Sequence, residues 1–127
     1  MADFVAPAFE ELCCRALWTL YEETPIVDVG QWWYQDHEID VVGLTDEETL
    51  VVGECKYRSA RTDRDALRSL ESHAEALRWT PPNGGPRRVE YALFSRAGFT
   101  ESLRTAAEER DDLRLFELDD VVDALRE

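Results

Sequence analysis

The chain has 127 residues, which is enough for one domain with a substantial hydrophobic core. Its 28 acidic and 14 basic residues give a net charge of -14, which disfavours general electrostatic binding to nucleic acid. No apolar run approaches the ~20 residues of a membrane span, and the acidic start does not resemble a signal peptide. These features predict a soluble, cytoplasmic protein with a single domain over residues 1–127.

The basic residues are strongly biased towards arginine. Lys56 is the single lysine, and every other basic residue counted in the net charge is arginine. An acidic, lysine-poor surface is typical of proteins from salt-loving organisms, in which salt screens the repulsion between carboxylates. In concentrated salt the argument against nucleic acid weakens. The three cysteines, Cys13, Cys14 and Cys55, form no CxxC pair, so neither a disulfide framework nor a zinc site is predicted.

Hydrophobic periodicity predicts nine elements. Apolar residues recur at helical spacing from Phe9 to Leu20, and alternation indicates a strand from Ile26 to Tyr34. The order αβββαβαβα predicts an α/β fold with a mixed sheet and helices on both faces. The predicted elements, in chain order, are helix 8–22, strand 26–34, strand 39–44, strand 50–53, helix 63–79, strand 89–95, helix 100–110, strand 113–118 and a last helix that Asp119 or Asp120 opens and that ends at Arg126.

The segment from His37 to Lys56 carries charges where a buried hairpin should not. Two apolar runs that flank an acidic turn predict a β-hairpin. Glu54 and Lys56 are two residues apart and share a strand face, and Asp40 on the neighbouring strand can converge on them. This pattern indicates a site for a metal ion and a phosphate group. A weak ion pair between solvated strand ends is the alternative interpretation.

These residues resemble the motif of the PD-(D/E)xK restriction-endonuclease-like superfamily. Asp40 with Glu54-Cys55-Lys56 matches that motif, and Glu10 matches an acidic residue often found on the first helix of the fold. The resemblance therefore implies a restriction-endonuclease-like mixed sheet.

A narrower resemblance covers nearly the whole chain, roughly residues 9–125. The segments GQWWYQDHEIDVVGL, VVGECKYRSA and YALFSRAGFTESLRTAAEE are similar to the uncharacterised C-terminal domain of certain archaeal AAA-type ATPases. Ile39 stands where the proline that names the motif would precede Asp40. Because no ATPase is present in this sequence, the resemblance implies either a freestanding protein or an excised terminal domain.

The resemblance also implies a set of ligands and a reaction. Asp40, Glu54 and the backbone carbonyl of Cys55 would bind Mg²⁺ or Mn²⁺, which prefer oxygen ligands. Lys56 would orient or help deprotonate the attacking water, and Glu10 would reach the metal through water. The implied function is a metal-dependent phosphodiesterase that cleaves DNA by metal-activated water. The alternative is a non-catalytic nucleic-acid-binding or regulatory module of an ATPase system.

Several other residues are candidates for supporting roles. Glu38 is a candidate further ligand and His37 a candidate for proton transfer, although a strand-end carboxylate and a bystander histidine are the simpler interpretations. Exposed tryptophans would support a third hypothesis, docking of another protein through Trp18 and Trp32 or Trp33. The candidate DNA contacts are Arg58, Arg61, Arg64 and Arg68, with Arg87-Arg88 as a second set; Asp63 and Asp65 interrupt the first set and could make it only a salt-bridged helix.

The expected partners follow from these hypotheses. DNA is the partner of the nuclease hypothesis, and an ATPase is the partner that the narrower resemblance suggests. Self-association into a homodimer stays open, and no membrane partner is expected.

Overall fold

A computed structural model describes residues 2–126, with side chains described from residue 7 onward. Its elements follow the predicted order. No helix within the described residues is long and apolar enough to cross a membrane. The elements are α1 (Ala2–Leu20), β1 (Ile26–Tyr34), β2 (His37–Thr45), β3 (Thr49–Lys56), α2 (Arg64–Ala76), β4 (Arg88–Ser95), α3 (Glu101–Glu109), β5 (Leu113–Glu117) and α4 (Leu118–Leu125).

The largest boundary difference in the second half of the chain is at the end of α2, which stops three residues before the predicted end at 79. Leu77 already has extended backbone angles. The guanidinium group of Arg87 donates hydrogen bonds to the carbonyls of Ala74 and Leu77. Arg87 therefore binds two carbonyls at the end of the helix, where intrahelical partners run out, and these bonds hold its guanidinium group against α2.

Two helix starts show how well capping can be predicted. Thr100 caps α3 as expected, because its hydroxyl accepts a hydrogen bond from the amide of Leu103. The start of α4 differs from the prediction, since Glu117 rather than an aspartate precedes the helix. Asp120 acts instead from inside the first turn, where its carboxylate accepts a hydrogen bond from the amide of Glu117.

The sheet has the strand order β1-β2-β3-β4-β5. The first three strands are antiparallel, whereas β3, β4 and β5 are parallel, so the predicted mixed sheet is confirmed. One face packs against α1 and α4 and the other against α2 and α3, which confirms helices on both faces. We call these the α1/α4 face and the α2/α3 face.

Strict alternation along β3 assigns the motif residues to a face. Val51 and Cys55 are buried in the core of the α1/α4 face, and Val52 is buried in the core of the α2/α3 face. Glu54 and Lys56 therefore point to the α2/α3 face, because side chains two apart share a side. The start of α2 covers this region, since both residues line a cavity with Ala66 and Ser69.

The strand β2 contains an irregularity at Asp40. Gly30 pairs with Val42 and Trp32 with Ile39, so β2 has one more residue than β1 over this stretch. The extra residue interrupts alternation, because Ile39 and Val42 both lie in the core of the α2/α3 face. A β-bulge of this kind redirects side chains and occurs often next to functional sites.

The pairing of β2 with β3 ends beside this bulge, at Val41 and Gly53. A Cβ atom at position 53 would lie 3.0 Å from the ring of Phe94 and 3.2 Å from the carbonyl of Ala92. Glycine thus allows the strands to pack closely just before Glu54. Beyond Gly53 the ladder hydrogen bonds stop, and the strands are free to separate at the motif.

Candidate functional site

The Asp40 carboxylate takes the place of the missing ladder bond between β2 and β3. Its Oδ2 atom accepts a hydrogen bond of 2.9 Å from the backbone amide of Cys55, the residue between Glu54 and Lys56. Because amide groups of a strand point within the plane of the sheet, this carboxylate lies between the two strands. The bulge and the end of the ladder, rather than direct cross-strand pairing, bring Asp40 to the motif.

Burial and neighbouring charge act together on Asp40. Burial raises the pKa of this carboxyl to about 7, the Cys55 hydrogen bond opposes the shift, and the charges of Glu10, Glu54 and Glu38 raise the pKa further. Four carboxyl groups therefore share one small region. We call Glu10, Glu38, Asp40 and Glu54 the carboxylate cluster.

Glu10 reaches this cluster from α1. The side-chain amide of Gln31 on β1 donates a hydrogen bond of 3.0 Å to Glu10 Oε1, which fixes the carboxylate against the sheet. Burial raises the pKa of Glu10, the Gln31 bond opposes that shift, and the charge of Glu38 adds to it. Sequence reasoning missed Gln31, whose only signal is a polar side chain in an aromatic strand.

Lys56 supplies the cation of the region. Its Nζ atom lies 2.9 Å from Glu54 Oε2, and the Glu54 side chain is the more deeply buried of the two. Removing one partner of a partly buried ion pair leaves the other charge uncompensated, which is destabilising. Glu54 is thus held by Lys56, while the carboxyl groups of Asp40 and Glu10 have no ion pair among the described residues.

The donor set fits a hard divalent cation in its chemistry. Carboxylate oxygens are the ligands that Mg²⁺ and Mn²⁺ prefer, and a cation would offset the burial and the repulsion that raise the pKa of Asp40. Within residues 7–126 no three Asp, Glu, His or Cys side chains converge tightly enough to form a complete metal site. A metal site at Asp40 and Glu54 would have only two such side chains as ligands. The backbone carbonyl of Cys55 and water molecules would supply the other ligands.

A cavity of about 330 Å³ opens on the α2/α3 face beside the Glu54–Lys56 pair. Arg58 and Arg61 also line it, so two of the four predicted DNA-contacting arginines lie at the motif. Asp63 and Asp65 stand at the same cavity, which makes its lining mixed in charge.

The loop that carries these two arginines is anchored at Thr62. Its amide donates to the carbonyl of Gly98, and its hydroxyl donates to that of Ser95, which in turn donates to Gly98. Gly98 has a φ of 86°, a conformation that glycine adopts readily and other residues rarely do. This buried network fixes the loop between β3 and α2 to the loop after β4.

The other two predicted arginines have partners elsewhere. The Nε atom of Arg64 donates to Ser102 Oγ at 2.6 Å, which joins α2 to α3. Arg68 lies 3.3 Å from Asp65 in an exposed pair, the salt-bridged helix that was the alternative interpretation. Neither residue lines the cavity at the motif.

The remaining candidates differ in their surroundings. His37 Nδ1 lies 3.0 Å from His73 Nδ1, so this histidine contacts α2. The Cys55 thiol is buried, and its pKa is raised by burial and by contact with the Cys13 thiol, as expected for a packed cysteine. Trp18 and Trp33 are exposed, whereas Trp32 packs against the α2/α3 core.

The fold is similar to that of solved endonucleases. The MspJI restriction endonuclease, solved with a 27-mer oligonucleotide, matches with a TM-score of 0.62 and 14% identity over 98% of this chain and 28% of that chain. A repair endonuclease from Pyrococcus abyssi matches with a TM-score of 0.53 and 16% identity over 86% and 46%. A protein of unknown function matches with a TM-score of 0.53 and 16% identity over 92% and 67%.

These matches establish the restriction-endonuclease-like fold that the sequence motif implied. The chain spans less than half the length of the two endonucleases. No curated protein matches it. The model of the DUF234 family, described as "Archaea bacterial proteins of unknown function", matches residues 1–69, which is more than half of the chain and extends from α1 into α2. The chain therefore belongs to the DUF234 family.

Proposed function

We propose that this chain is a metal-dependent phosphodiesterase that acts on DNA. The observation that carries the proposal is the position of Asp40, whose carboxylate is bonded to the backbone between Glu54 and Lys56 at the place where β2 and β3 separate. This juxtaposition puts two carboxylates and an ammonium group at one corner of the sheet. It occurs on the fold shared with the two endonucleases.

The proposal assigns each residue the role that the resemblance implies. Asp40, Glu54 and the Cys55 carbonyl would hold Mg²⁺ or Mn²⁺, and Glu10 would contact the ion through water. When bound, the ion would make water a better nucleophile and neutralise charge on the phosphate. The amide of Cys55 keeps Asp40 oriented, and Gln31 keeps Glu10 oriented.

Lys56 would act on the phosphate and the attacking water. Its ammonium group is already held 2.9 Å from Glu54, so it lies within reach of groups that this carboxylate binds. A positioned cation stabilises the negative charge that develops on a phosphodiester under attack. Lysine can also give up its proton more readily than arginine, which suits a chain that otherwise uses arginine.

Arg58 and Arg61 would contact the DNA backbone near the cleaved bond. Both are exposed and line the cavity that contains Glu54 and Lys56. The net charge of -14 opposes DNA binding in dilute salt, whereas concentrated salt screens that repulsion. We therefore expect binding to depend on local contacts rather than on long-range attraction.

A second candidate function is a regulatory or nucleic-acid-binding module of an ATPase system that keeps the fold without turnover. Two observations favour this module. The described side chains form no complete metal site, and the Lys56 ammonium group is ion-paired with the Glu54 carboxylate. The two candidates differ in one measurable property, metal-dependent cleavage.

A cleavage assay with Mg²⁺ or Mn²⁺ at molar KCl, on linear, nicked and branched DNA, tests the proposal. We expect wild-type protein to cleave at least one of these substrates and the Asp40→Asn and Glu54→Gln variants to lose activity by about 10²- to 10³-fold or more. Asp112→Asn, a carboxylate change outside the cluster, is the matched control and should leave cleavage unchanged. Equal metal-dependent cleavage by all four proteins would refute the proposal, and DNA binding without cleavage would favour the module.

A further inference from the structure

A second concave surface lies on the α2/α3 face at the opposite end of α2. Trp32 and Tyr34 of β1 form one wall, and Arg78 and Trp79, which follow α2, form the other. We call this surface the aromatic groove. It consists of two adjoining hollows of about 260 Å³ and 540 Å³ that share Trp32 and Arg78.

The aromatic rings of β1 form a platform. Trp32 and Tyr34 are two residues apart on one strand face, and their rings lie 6.4 Å apart at an interplanar angle of 26°. The amide of Gln35 donates to the Tyr34 hydroxyl, which restrains that ring. Tyr34 is 56% exposed, so its ring is open to a ligand. Exposed, nearly parallel aromatic rings are the feature on which unpaired bases stack.

The opposite wall is also fixed in place. The hydrogen bonds from Arg87 to the last turn of α2 hold the chain where it turns into Arg78 and Trp79. Trp79 is half-buried against the α2/α3 core. A groove with two fixed walls loses little conformational entropy when a flat ring enters.

The polar groups of the groove suit a nucleotide. Arg78 is exposed and has no ion pair or hydrogen bond within residues 7–126, which is notable in a chain with a net charge of -14. A phosphate group would complete its coordination. Asp28 lines one hollow and Gln35 the other, and such side chains can pair with the edges of a base.

The helix α2 connects the groove to the candidate active site. Ser69 lines the cavity at Glu54 and Lys56, and Ala76 lines the groove. Seven helical residues separate them, which corresponds to roughly 10 Å. This distance is about the length of three stacked nucleotides.

We propose that the aromatic groove binds an unpaired base of a DNA strand whose backbone runs along α2 to the active site. The inference rests on the proposed function and narrows its substrate to single-stranded DNA or to branched DNA with an unpaired arm. Bases stack on Tyr34, Trp32 and Trp79, and Arg78 contacts a phosphate.

Binding of a fluorescently labelled oligothymidylate of about 12 nucleotides, measured by anisotropy in EDTA, tests this proposal without any contribution from cleavage. We expect Tyr34→Ala and Trp79→Ala each to weaken binding by roughly 5- to 100-fold. Trp18→Ala, which removes an exposed tryptophan from α1, is the matched control and should bind like wild type. Tyr34→Ala and Tyr34→Ser both change an exposed side chain. They therefore test the groove even if Trp79→Ala does not fold.

Two further readouts separate bases from phosphates. An oligomer of abasic deoxyribose phosphates should bind much more weakly than oligothymidylate, because it keeps the charges and lacks the rings. The Arg78→Gln variant should lower the slope of log Kd against log salt by about 0.7, the value for one phosphate contact on a single strand. Arg15→Gln, an exposed arginine on α1, should leave that slope unchanged.

Other outcomes would overturn the proposal. Undiminished binding of the abasic oligomer, or wild-type affinity in the Tyr34 and Trp79 variants, would show that the groove does not bind bases. Concentration-dependent self-association that these variants abolish, with no effect on DNA binding, would assign the groove to a second copy of the chain. Single-strand binding that depends on the groove, without any metal-dependent cleavage, would support the groove and refute the phosphodiesterase.

Discussion

Two groups of charged residues in this protein are arranged in opposite ways. In the carboxylate cluster, burial and three neighbouring carboxylates raise the pKa of Asp40 to about 7. Around Arg110, by contrast, the guanidinium group bonds Asp112 through two nitrogens and also contacts Glu71 at 3.0 Å. Hydrogen bonds from Arg110 lower the pKa of Asp112.

The difference separates a charge network that contains its own counter-ion from one in which most carboxyl groups lack one. The network at Arg110 joins α2 to the segment before β5 and places one guanidinium group between two carboxylates, so each carboxylate has a cation as its partner. In the carboxylate cluster only Glu54 has a cation as its partner, Lys56, so the other three carboxyl groups concentrate negative charge that no ion pair among the described residues neutralises. Such unfavourable arrangements are found most often where a site binds a ligand of opposite charge.

Among the changes that test this comparison, substitutions of Lys56 are expected to have the largest effect, a loss of cleavage rate. Lys56→Met should lower the cleavage rate by about 10²- to 10⁴-fold, because it removes the cation from the site. Lys56→Arg keeps the charge but not the compact, titratable ammonium group. We expect Lys56→Arg to retain DNA binding and to lose most of the cleavage rate, measured in single-turnover experiments. Full activity of the arginine variant would show that charge alone suffices.

In the absence of metal, Asp40→Asn is expected to stabilise the folded protein, although the same change should lower the cleavage rate. The pKa of Asp40 is about 7 in the folded protein against 3.8 as its ordinary value, so folding disfavours the charged form. The penalty is absent below about pH 4, grows as pH rises and is complete above pH 7. Asp40→Asn should therefore raise the free energy of unfolding at pH 8 by about 1–3 kcal/mol and leave it unchanged near pH 4.

Urea denaturation of wild type and Asp40→Asn at both pH values measures this difference. Asparagine can still accept the hydrogen bond from Cys55, so the comparison isolates the charge. A variant that is less stable than wild type at pH 8 would contradict the idea that the cluster is electrostatically unfavourable.

Breaking the network at Arg110 should destabilise the folded protein. Arg110→Met removes the shared cation from Asp112 and Glu71, and we expect a loss of about 1 kcal/mol in the free energy of unfolding. The loss should shrink in concentrated salt, because the pairs are partly exposed. Thermal unfolding at low and high KCl measures it, and a salt-independent loss would indicate a packing defect instead.

The smallest effect is expected at Arg68, which pairs with Asp65 on the exposed side of α2. Arg68→Met should change stability by less than about 0.5 kcal/mol and should not alter the affinity for DNA. Arg61→Met, at the cavity beside the motif, should weaken DNA binding several-fold in the same titration. Equal losses in both variants would extend the DNA contact to the exposed side of α2 that carries Arg68.

The order of elements could be predicted from the sequence because periodicity and breaking residues are local signals. The hairpin and the placement of Glu54 and Lys56 on one face follow from the two-residue repeat of a strand. The proximity of Asp40 to this pair was also expected. The cause of this proximity was not expected, because a β-bulge depends on the pairing of β1 with β2 and has no clear signal in the sequence.

The roles of the arginines could not be predicted, because each depends on distant residues. Arg64 bonds Ser102, and Arg87 bonds the end of α2, although both had been considered as DNA contacts. Arg78 was not considered, since a single arginine between an alanine-rich turn and a proline has no distinctive signal. Only the packing of α2 on the sheet brings it to Trp32 and Tyr34.

Titration calorimetry with Mn²⁺ on wild type, Asp40→Asn and Asp112→Asn tests the central claim most directly. We expect saturable binding to wild type and to Asp112→Asn and its loss in Asp40→Asn, because the claim assigns the ion to the carboxylate cluster alone. Absence of binding to wild type, or equal binding by all three proteins, would contradict it.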